Sequence, residues 1–399
     1  MNITHLNLTE KEISIINNIK HHNIDHKRID YKNKICIKPW GYEYLAYESE
    51  NIGIWMLNIN KNNKTSLHTH FNKDTILILI SGCIKLNLID DNYKILNILD
   101  VINIPKNKFH GIESISDNSI IFELEIYNNK INFSDKNDLF RINDIYNRDT
   151  TGYEKSINIS EDLNKYNYKY FENNYTDNIF KLHTNNKNIN NSYDSIYILL
   201  KGIINYNSIY IKEGSIIDNK IISYINDENI EILEINIPYY KEDRKIIYNL
   251  EHLKLVCEEI KENRNILTSG CFDIIHIGHL EVLKKSKYLG DKLLVCLSND
   301  EQIRKLKGDK RPINNYNDRI QLFKTISYVD YIILYEEEDI ERELTLNKIM
   351  EIVNPHYWTK GTDYDINDII KKHPTINVKL IENISNISTT NIINNIINK

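Results

Sequence analysis

The chain reads as a multidomain protein: a β-barrel, duplicated with a degenerate second copy, followed by an α/β domain on an open parallel sheet. Three observations predict this. A length of 399 residues exceeds what one core usually fills. Short apolar runs separated by turn residues fill 35–126 and recur, more weakly, to 240. From 265 onward the pattern changes to alternating strand and helix signals.

Residues 1–34 form a leader with one short helix, Glu10–Lys20, for which Thr9 is the expected N-cap. Residues 35–148 are the first barrel, with strands at Ile54–Ile59, Thr75–Ile80, Cys83–Ile89, Asp100–Ile104 and Ile120–Ile126. In 149–245, Tyr193–Leu200, Gly202, Ser208–Ile211, Gly214 and Glu231–Ile237 repeat the strand–glycine–strand rhythm without its histidine pair. That is the degenerate copy; the alternative is a β-extension that closes the first barrel. Leu250, Leu253, Cys257 and Ile260 mark an amphipathic helix in a 246–264 linker. In 265–399, strands at 266–268, 292–298, 331–334 and 377–380 alternate with helices near 279–289, 317–327, 340–353 and 391–397.

Composition narrows the function. A net charge of −6 argues against a large nucleic-acid surface. Five scattered cysteines without metal-ligand spacing suit a reducing, cytoplasmic compartment. The start, MNITHLNLTEKE, lacks an apolar secretory core, and no apolar run is long enough to span a bilayer. No Gly-x-Gly-x-x-Gly occurs, which weakens a dehydrogenase reading.

The most informative segment is Ser269-Gly-Cys-Phe-Asp-Ile-Ile-His-Ile-Gly-His279. A strand stops at Gly270, where a Cβ would crowd the turn. His276 and His279, three apart at a helix start, put both rings near one face, with Gly278 keeping a gap between them. Helix N–H groups and two imidazoles can meet a triphosphate and stabilise charge as pyrophosphate leaves. Asp273 either orders the loop or caps the helix. Downstream, Lys305–Pro312 is a basic loop in which Lys307 and Arg311 can grip phosphate. Arg319 either points a guanidinium at the site or pairs with Asp318. Ser388, Thr389 and Thr390 precede the last helix and offer cap donors to an anion, or only to the helix.

GCFDIIHIGHLEVLKKSKYLGDKLLVCLSNDE, LKGDKRP, the arginine of YNDRI, WTKGTDY and ISTTNI resemble the cytidylyltransferase-like superfamily over about 265–397. The adenylyltransferase domain of bacterial bifunctional ADP-heptose synthases is the nearest type; glycerol-3-phosphate cytidylyltransferases are more distant. The resemblance implies a Rossmann-like fold and transfer of a nucleotidyl group from ATP or CTP, with Mg²⁺, to a sugar phosphate. It implies triphosphate contacts from His276 and His279, neutralisation by Lys307 and Arg319, and phosphate binding by Ser388 and Thr389. Gly270, Cys271, Phe272, Asp273, Gly278, Arg311, Gly361, Asp363 and Thr390 would line the nucleotide. The segment before Ser388 lacks the Arg-x-x-Gly-Ile pattern of the glycerol-phosphate enzymes, which favours a heptose- or hexose-phosphate acceptor.

In the first barrel, His68 and His70 share a strand face by alternation. With Asp74 and His110 they could hold Zn²⁺, Fe²⁺, Mn²⁺ or Ni²⁺; the alternative is an apo barrel whose histidines meet sugar or phosphate directly. This segment resembles the cupins, with Asp74 where glutamate is usual and Asn107 where glycine is usual. KPWGYEYL and DLFRINDIYNR resemble mannose-6-phosphate isomerase-like sugar-phosphate cupins over about 35–148. The barrel is then an isomerase or epimerase, with His110 and Glu43 as acid–base candidates, or a binding or dimerising barrel. The competing readings of the whole are a polyol-phosphate cytidylyltransferase and a non-catalytic nucleotide- and sugar-binding module. A homodimer is compatible with both domain types.

Overall fold

The protein is described here from a computed structural model. It describes residues 3–19, 28–127, 132–148, 158–184, 189, 195–222, 224–225, 229–238, 240–334, 342–362, 367, 370–371, 373–374, 376–382 and 388–397. They fall into two compact units, Met1–Tyr240 and Lys241–Lys399. No helix among the described residues is long and apolar enough to cross a membrane.

The first unit is built around an eight-stranded, mostly antiparallel sheet. Its centre is Asn118–Tyr127, paired on one side with Ile52–Asn60 and on the other with Lys73–Ser81. Alternation serves both faces. Ile54, Met56, Ile76, Ile78, Phe122 and Leu124 point to one side; Trp55, Leu57, Leu77, Leu79 and Ile121 point to the other. The second group packs on Ile84, Leu86, Leu96 and Ile112 of a three-stranded sheet. Among the described residues these ladders form separate sheets, and closure into one hydrogen-bonded barrel is not seen.

The region expected to be a degenerate second barrel shares a core with the large sheet. Its described strands form a four-stranded sheet, Phe180–Thr184, Ser195–Lys201, Ile216–Ile217 and Glu231–Asn236, plus a two-stranded hairpin. Phe180, Leu182, Ile196, Ile198, Leu233 and Ile235 bury against Phe122, Ile54 and Ile78 of the large sheet in one core. A fully buried side chain such as Phe122 contributes about 1.5–3 kcal/mol, and here it packs on Phe180 of the second sheet, ring centroids 6.1 Å apart. The extension is therefore a third layer that covers a face which would otherwise be wet.

The leader helix, Glu10–Asn18, begins as expected, with Thr9 and Glu12 forming a capping box. Glu12 does more than cap. Its carboxylate is wholly buried and accepts from Lys108 Nζ at 2.7 Å and Phe109 N at 3.0 Å. That pins the helix to the loop before His110.

The second unit is a six-stranded parallel sheet. Its order is Ile246–Ile247, Tyr331–Leu334, Lys292–Leu297, Asn265–Gly270, Tyr357–Gly361, Val378–Ile381. The chain winds outward from Asn265–Gly270 in one direction, then returns to lay Tyr357–Gly361 on its other side. That reversal opens a crevice at the carboxyl ends of these two strands. The helix Leu250–Glu259 is an integral part of this unit: Leu253 and Val256 bury against Leu346, Ile349 and Trp358.

Candidate active sites

The crevice in the second unit holds the paired histidines. Strand Asn265–Gly270 ends, Phe272 takes a left-handed φ of +46°, and helix Ile277–Lys287 starts with His276 as its N-cap residue. The unusual dihedral thus falls on Phe272. Gly270 is required for a different reason: a Cβ there would lie 2.8 Å from the Phe272 ring. The Phe272 ring in turn sits edge-on to His279 at 5.2 Å and packs on Phe323 at 4.9 Å. His276 makes no side-chain cap; His279 N donates to His276 O at 2.9 Å, and the N–H groups of Ile277 and Gly278 at the helix start face an anion site.

His276 and His279 stack with centroids 3.8 Å apart, so the expected open gap between the rings is corrected to direct ring contact. Gly278 is buried in the first helical turn. Burial lowers the His276 pKa. Burial, reinforced by the neighbouring His276, takes His279 down to about 4. Both rings are therefore neutral near pH 7. The Nδ1 of His276 is buried without a hydrogen-bond partner, a donor or acceptor waiting for a ligand.

The surrounding residues sort differently from expectation. Arg319 is wholly buried and does not present its guanidinium to solvent. It donates to Asn314 O at 3.1 Å, Cys271 O at 2.9 Å, Ser298 O at 2.6 Å and Asp300 Oδ1 at 2.6 Å. Four protein oxygens take four of its five N–H donors, and the guanidinium ties these loops together. Asp273 orders the loop: it accepts Ile313 N and Asn314 N, both at 2.8 Å, and pairs with Arg311. Arg311 and Asp273, both expected to line the nucleotide, are bonded to each other. Lys307 is exposed on the last turn of a helix, Asp300–Lys307, not on a loop. Gly308 ends that helix at a φ of +91°.

Ser388 caps the last helix, Thr389–Ile397, through Asn391 N at 3.1 Å. Thr389 Oγ1 reaches Ile274 O at 3.5 Å, which brings this helix start beside the histidine loop. Thr390 is exposed, and Gly361 closes its strand at the crevice. Asp363 lies outside the described residues. A residue missed from sequence is Lys360, buried with its Nζ 2.7 Å from Ser269 Oγ and 2.9 Å from Ser269 O. The signal was available: Lys360 alternates with Thr359 on a strand that borders the crevice.

The first unit holds a separate cavity where His68, His70 and His110 converge. Their available nitrogens lie within 4.8 Å of one another. Each Nδ1 faces a backbone carbonyl: Ser66 at 2.9 Å, Asp138 at 2.5 Å and Lys108 at 3.1 Å. Those bonds place the proton on Nδ1 and leave each Nε2 lone pair inward. The Nε2 of His70 is buried without a partner. Burial holds His68 and His70 well below the usual imidazole range and takes His110 to about 4. Neutral, pre-aimed imidazoles fit a Zn²⁺, Fe²⁺, Mn²⁺ or Ni²⁺ ion.

Asp74 is corrected out of this set. Lys73 points into the cavity, so alternation turns Asp74 away, and its carboxylate accepts Lys106 N at 2.8 Å. Asn107 adopts a φ of +71°, a conformation asparagine tolerates, and donates its N–H to His70 O at 2.7 Å. Glu43 does line the cavity, as do Glu123 and Lys136, which the sequence did not single out.

Residues 267–395 match the family described as cytidylyltransferase-like. The chain is 37% identical over 131 residues to bifunctional protein HldE of Aliarcobacter butzleri (strain RM4018), covering 33% of this chain and 26% of that one. It is 36% identical over 154 residues to bifunctional protein HldE of Campylobacter fetus subsp. fetus (strain 82-40), covering 39% and 32%. The chain thus spans 26–32% of the length of these two relatives. Among solved structures, a lipopolysaccharide core biosynthesis protein from Thermoplasma volcanium is 31% identical, with coverage of 31% and 97% and a TM-score of 0.26. A cupin-superfamily sugar phosphate isomerase from Silicibacter pomeroyi is 15% identical, with coverage of 20% and 52% and a TM-score of 0.19. The carboxy-terminal domain matches the HldE-type, cytidylyltransferase-like proteins.

Proposed function

We propose that the second unit transfers a nucleotidyl group from ATP or CTP to a sugar phosphate of heptose or hexose type, releasing pyrophosphate. The observation that carries this reading is the stacked, neutral histidine pair at a helix start, beside the crevice of a parallel sheet. An oxygen of the acceptor phosphate attacks the α-phosphorus in line; the bond to the β-phosphate bridging oxygen breaks, and pyrophosphate departs. Mg²⁺ arrives with the triphosphate and screens its charge. His276 and His279 donate N–H bonds where negative charge grows, and the free helix N–H groups add to them. Lys307 is an exposed cation offered to the triphosphate, while Ser388 and Thr389 offer hydroxyls at the second helix start. Asp363, Gly361 and Thr390 remain proposed nucleotide neighbours.

The first unit we read as a sugar-phosphate isomerase, epimerase or binding domain in which His68, His70 and His110 hold a divalent ion. Such an ion would polarise a sugar carbonyl. A cytoplasmic location suits the five free thiols, and a homodimer remains compatible with both units. The test is pyrophosphate release by the full chain, with four nucleoside triphosphates against heptose, hexose and glycerol phosphates. Release with a heptose or hexose phosphate supports the reading. Release only with glycerol phosphate moves the acceptor to polyols. Binding without release leaves the module reading.

A further inference from the structure

The inner face of the large sheet carries charge where an apolar core is the rule. On Asn118–Tyr127, Ile121 points into the core, and Glu123 and Glu125 follow on that same face. Both are buried, as are Glu43 and Lys73 beside them. Burying a carboxylate costs several kcal/mol unless it is paired and hydrogen-bonded, so each one calls for an explanation.

Glu125 has one. It pairs with Lys73 and accepts Ser134 Oγ at 2.8 Å, and Ser134 is held by Trp55 Nε1 at 2.7 Å. Glu43 sits between Lys136 at 3.7 Å and Lys38 at 3.9 Å. Glu123 is different. Among the described residues the one cation paired with it is Lys136, its Nζ 4.0 Å away, and no hydrogen bond reaches its carboxyl oxygens. It nonetheless lines the cavity into which the three imidazoles point. Lys136 itself is fixed: its ammonium lies 3.7 Å over the Trp55 ring and 3.6 Å from Glu125.

We propose that Glu123 is the acid–base residue of the histidine-lined cavity, moving a proton between adjacent carbons of an aldose or ketose phosphate. This rests on the isomerase reading of the first unit. The carboxylate removes the proton from the carbon beside the carbonyl, the electron pair forms the enediol double bond and the carbonyl oxygen takes up a proton; the carboxyl, whose proton exchanges with solvent, then delivers a proton to the former carbonyl carbon as the neighbouring hydroxyl gives its proton up. The substrate ends with its carbonyl moved by one position, and Glu123 ends ionised as it began. Lys136, shared by Glu43 and Glu125, holds one positive charge beside this carboxyl, and Lys38 and Lys73 add cationic lining suited to a phosphorylated ligand. Burial pushes the Glu123 carboxyl up to about 6, against the pull of Lys136, so both protonation states are accessible near neutrality.

The experiment uses the full chain in D2O with fructose 6-phosphate, mannose 6-phosphate and sedoheptulose 7-phosphate. Deuterium uptake at the carbons flanking the carbonyl is followed by NMR, binding by calorimetry and metal content by mass spectrometry. Glu123→Gln should slow uptake about 100-fold or more while binding stays within about threefold and metal content is unchanged. Glu123→Asp, which keeps the carboxyl and guards against a misfolded glutamine variant, should recover part of the rate with a shifted pH profile. Wild-type uptake in folded Glu123→Gln would remove Glu123 from the chemistry and leave the isomerase reading standing. A wild-type chain that binds these phosphates without any uptake would overturn the isomerase reading and this role together.

Discussion

The two units place their sites by opposite means. In the α/β unit the crevice is built from strand ends and the turns that follow them, so its residues come in contiguous runs such as 269–279. In the sheet unit the cavity is built from the inner faces of strands and from the turns between them, far apart in sequence: Glu43, His68, His110, Glu123 and Lys136. A parallel sheet exports chemistry to its carboxyl edge, where neighbours in sequence are neighbours in space. A stack of antiparallel sheets keeps chemistry inside, where alternation scatters it. A motif therefore reveals the first site and only a pair, His-x-His, reveals the second.

The sharpest way to break that contrast is Arg319, a residue that sits in a contiguous motif yet works through packing. Arg319→Met should destabilise the second unit by about 3–5 kcal/mol, since it leaves Asp300 and three carbonyls without their donor. Urea unfolding of the full chain measures it. An unchanged midpoint with a raised KM for the triphosphate would return Arg319 to direct contact. Next in size is the histidine pair: His276→Ala and His279→Ala should each cost about 10²–10³ in turnover with little change in fold. Single-turnover pyrophosphate release is the measurement, and wild-type turnover in either variant would detach that ring from the reaction.

These two cases mark what the sequence could and could not carry. The order of strands and helices from 265 onward was legible because period and punctuation are local. So were Thr9 as a cap and the histidine pair. The helix Asp300–Lys307 went unread because its charges resemble a solvated loop, although Asn299 and Gln302 form a capping box. Burial of Arg319 could not be read, because only the fold brings Cys271, Ser298 and Asn314 around it. Glu123 and Glu125 alternate with Phe122 and Leu124 as they would on a surface strand. What the pattern lacks is which face is outside, and here the third layer covers the other one. That same layer explains why 149–240 imitates a second barrel: its strands need apolar alternation to pack on the first.

A smaller effect is read through pH, and buried histidines carry it in both units. In the second unit, burial takes both His252 and His279 down to about 4, from an ordinary value of 6.5. Between those values the unfolded chain binds protons that the folded unit refuses. Stability is full above pH 6.5 and falls as pH drops toward 4, by about 1.4 kcal/mol per pH unit for each group. Denaturation midpoints across that window should show the slope, and His252→Gln should remove about half of this pair's share. An unaltered slope in that variant would assign the dependence to other groups.

The smallest expected effect lies at Asp74, and it sharpens the contrast from the other side. His-x-His followed by an acid four residues on is a local pattern of the kind that serves well in the α/β unit. In the sheet unit it misleads, because residues 73 and 74 face opposite ways, and Lys73 takes the inward place. Asp74 instead holds Lys106 N at 2.8 Å, two residues before Lys108, whose carbonyl orients His110. Asp74→Asn keeps an acceptor oxygen there and should cost no more than about 1 kcal/mol in stability. Metal content after equilibration with Zn²⁺ or Mn²⁺ should match the wild type, whereas His70→Ala should lose most of its metal. A parallel loss of metal in Asp74→Asn would mean the carboxylate swings inward on binding, and the cavity would then need a rearrangement of the strand Lys73–Ser81 to close around its ion.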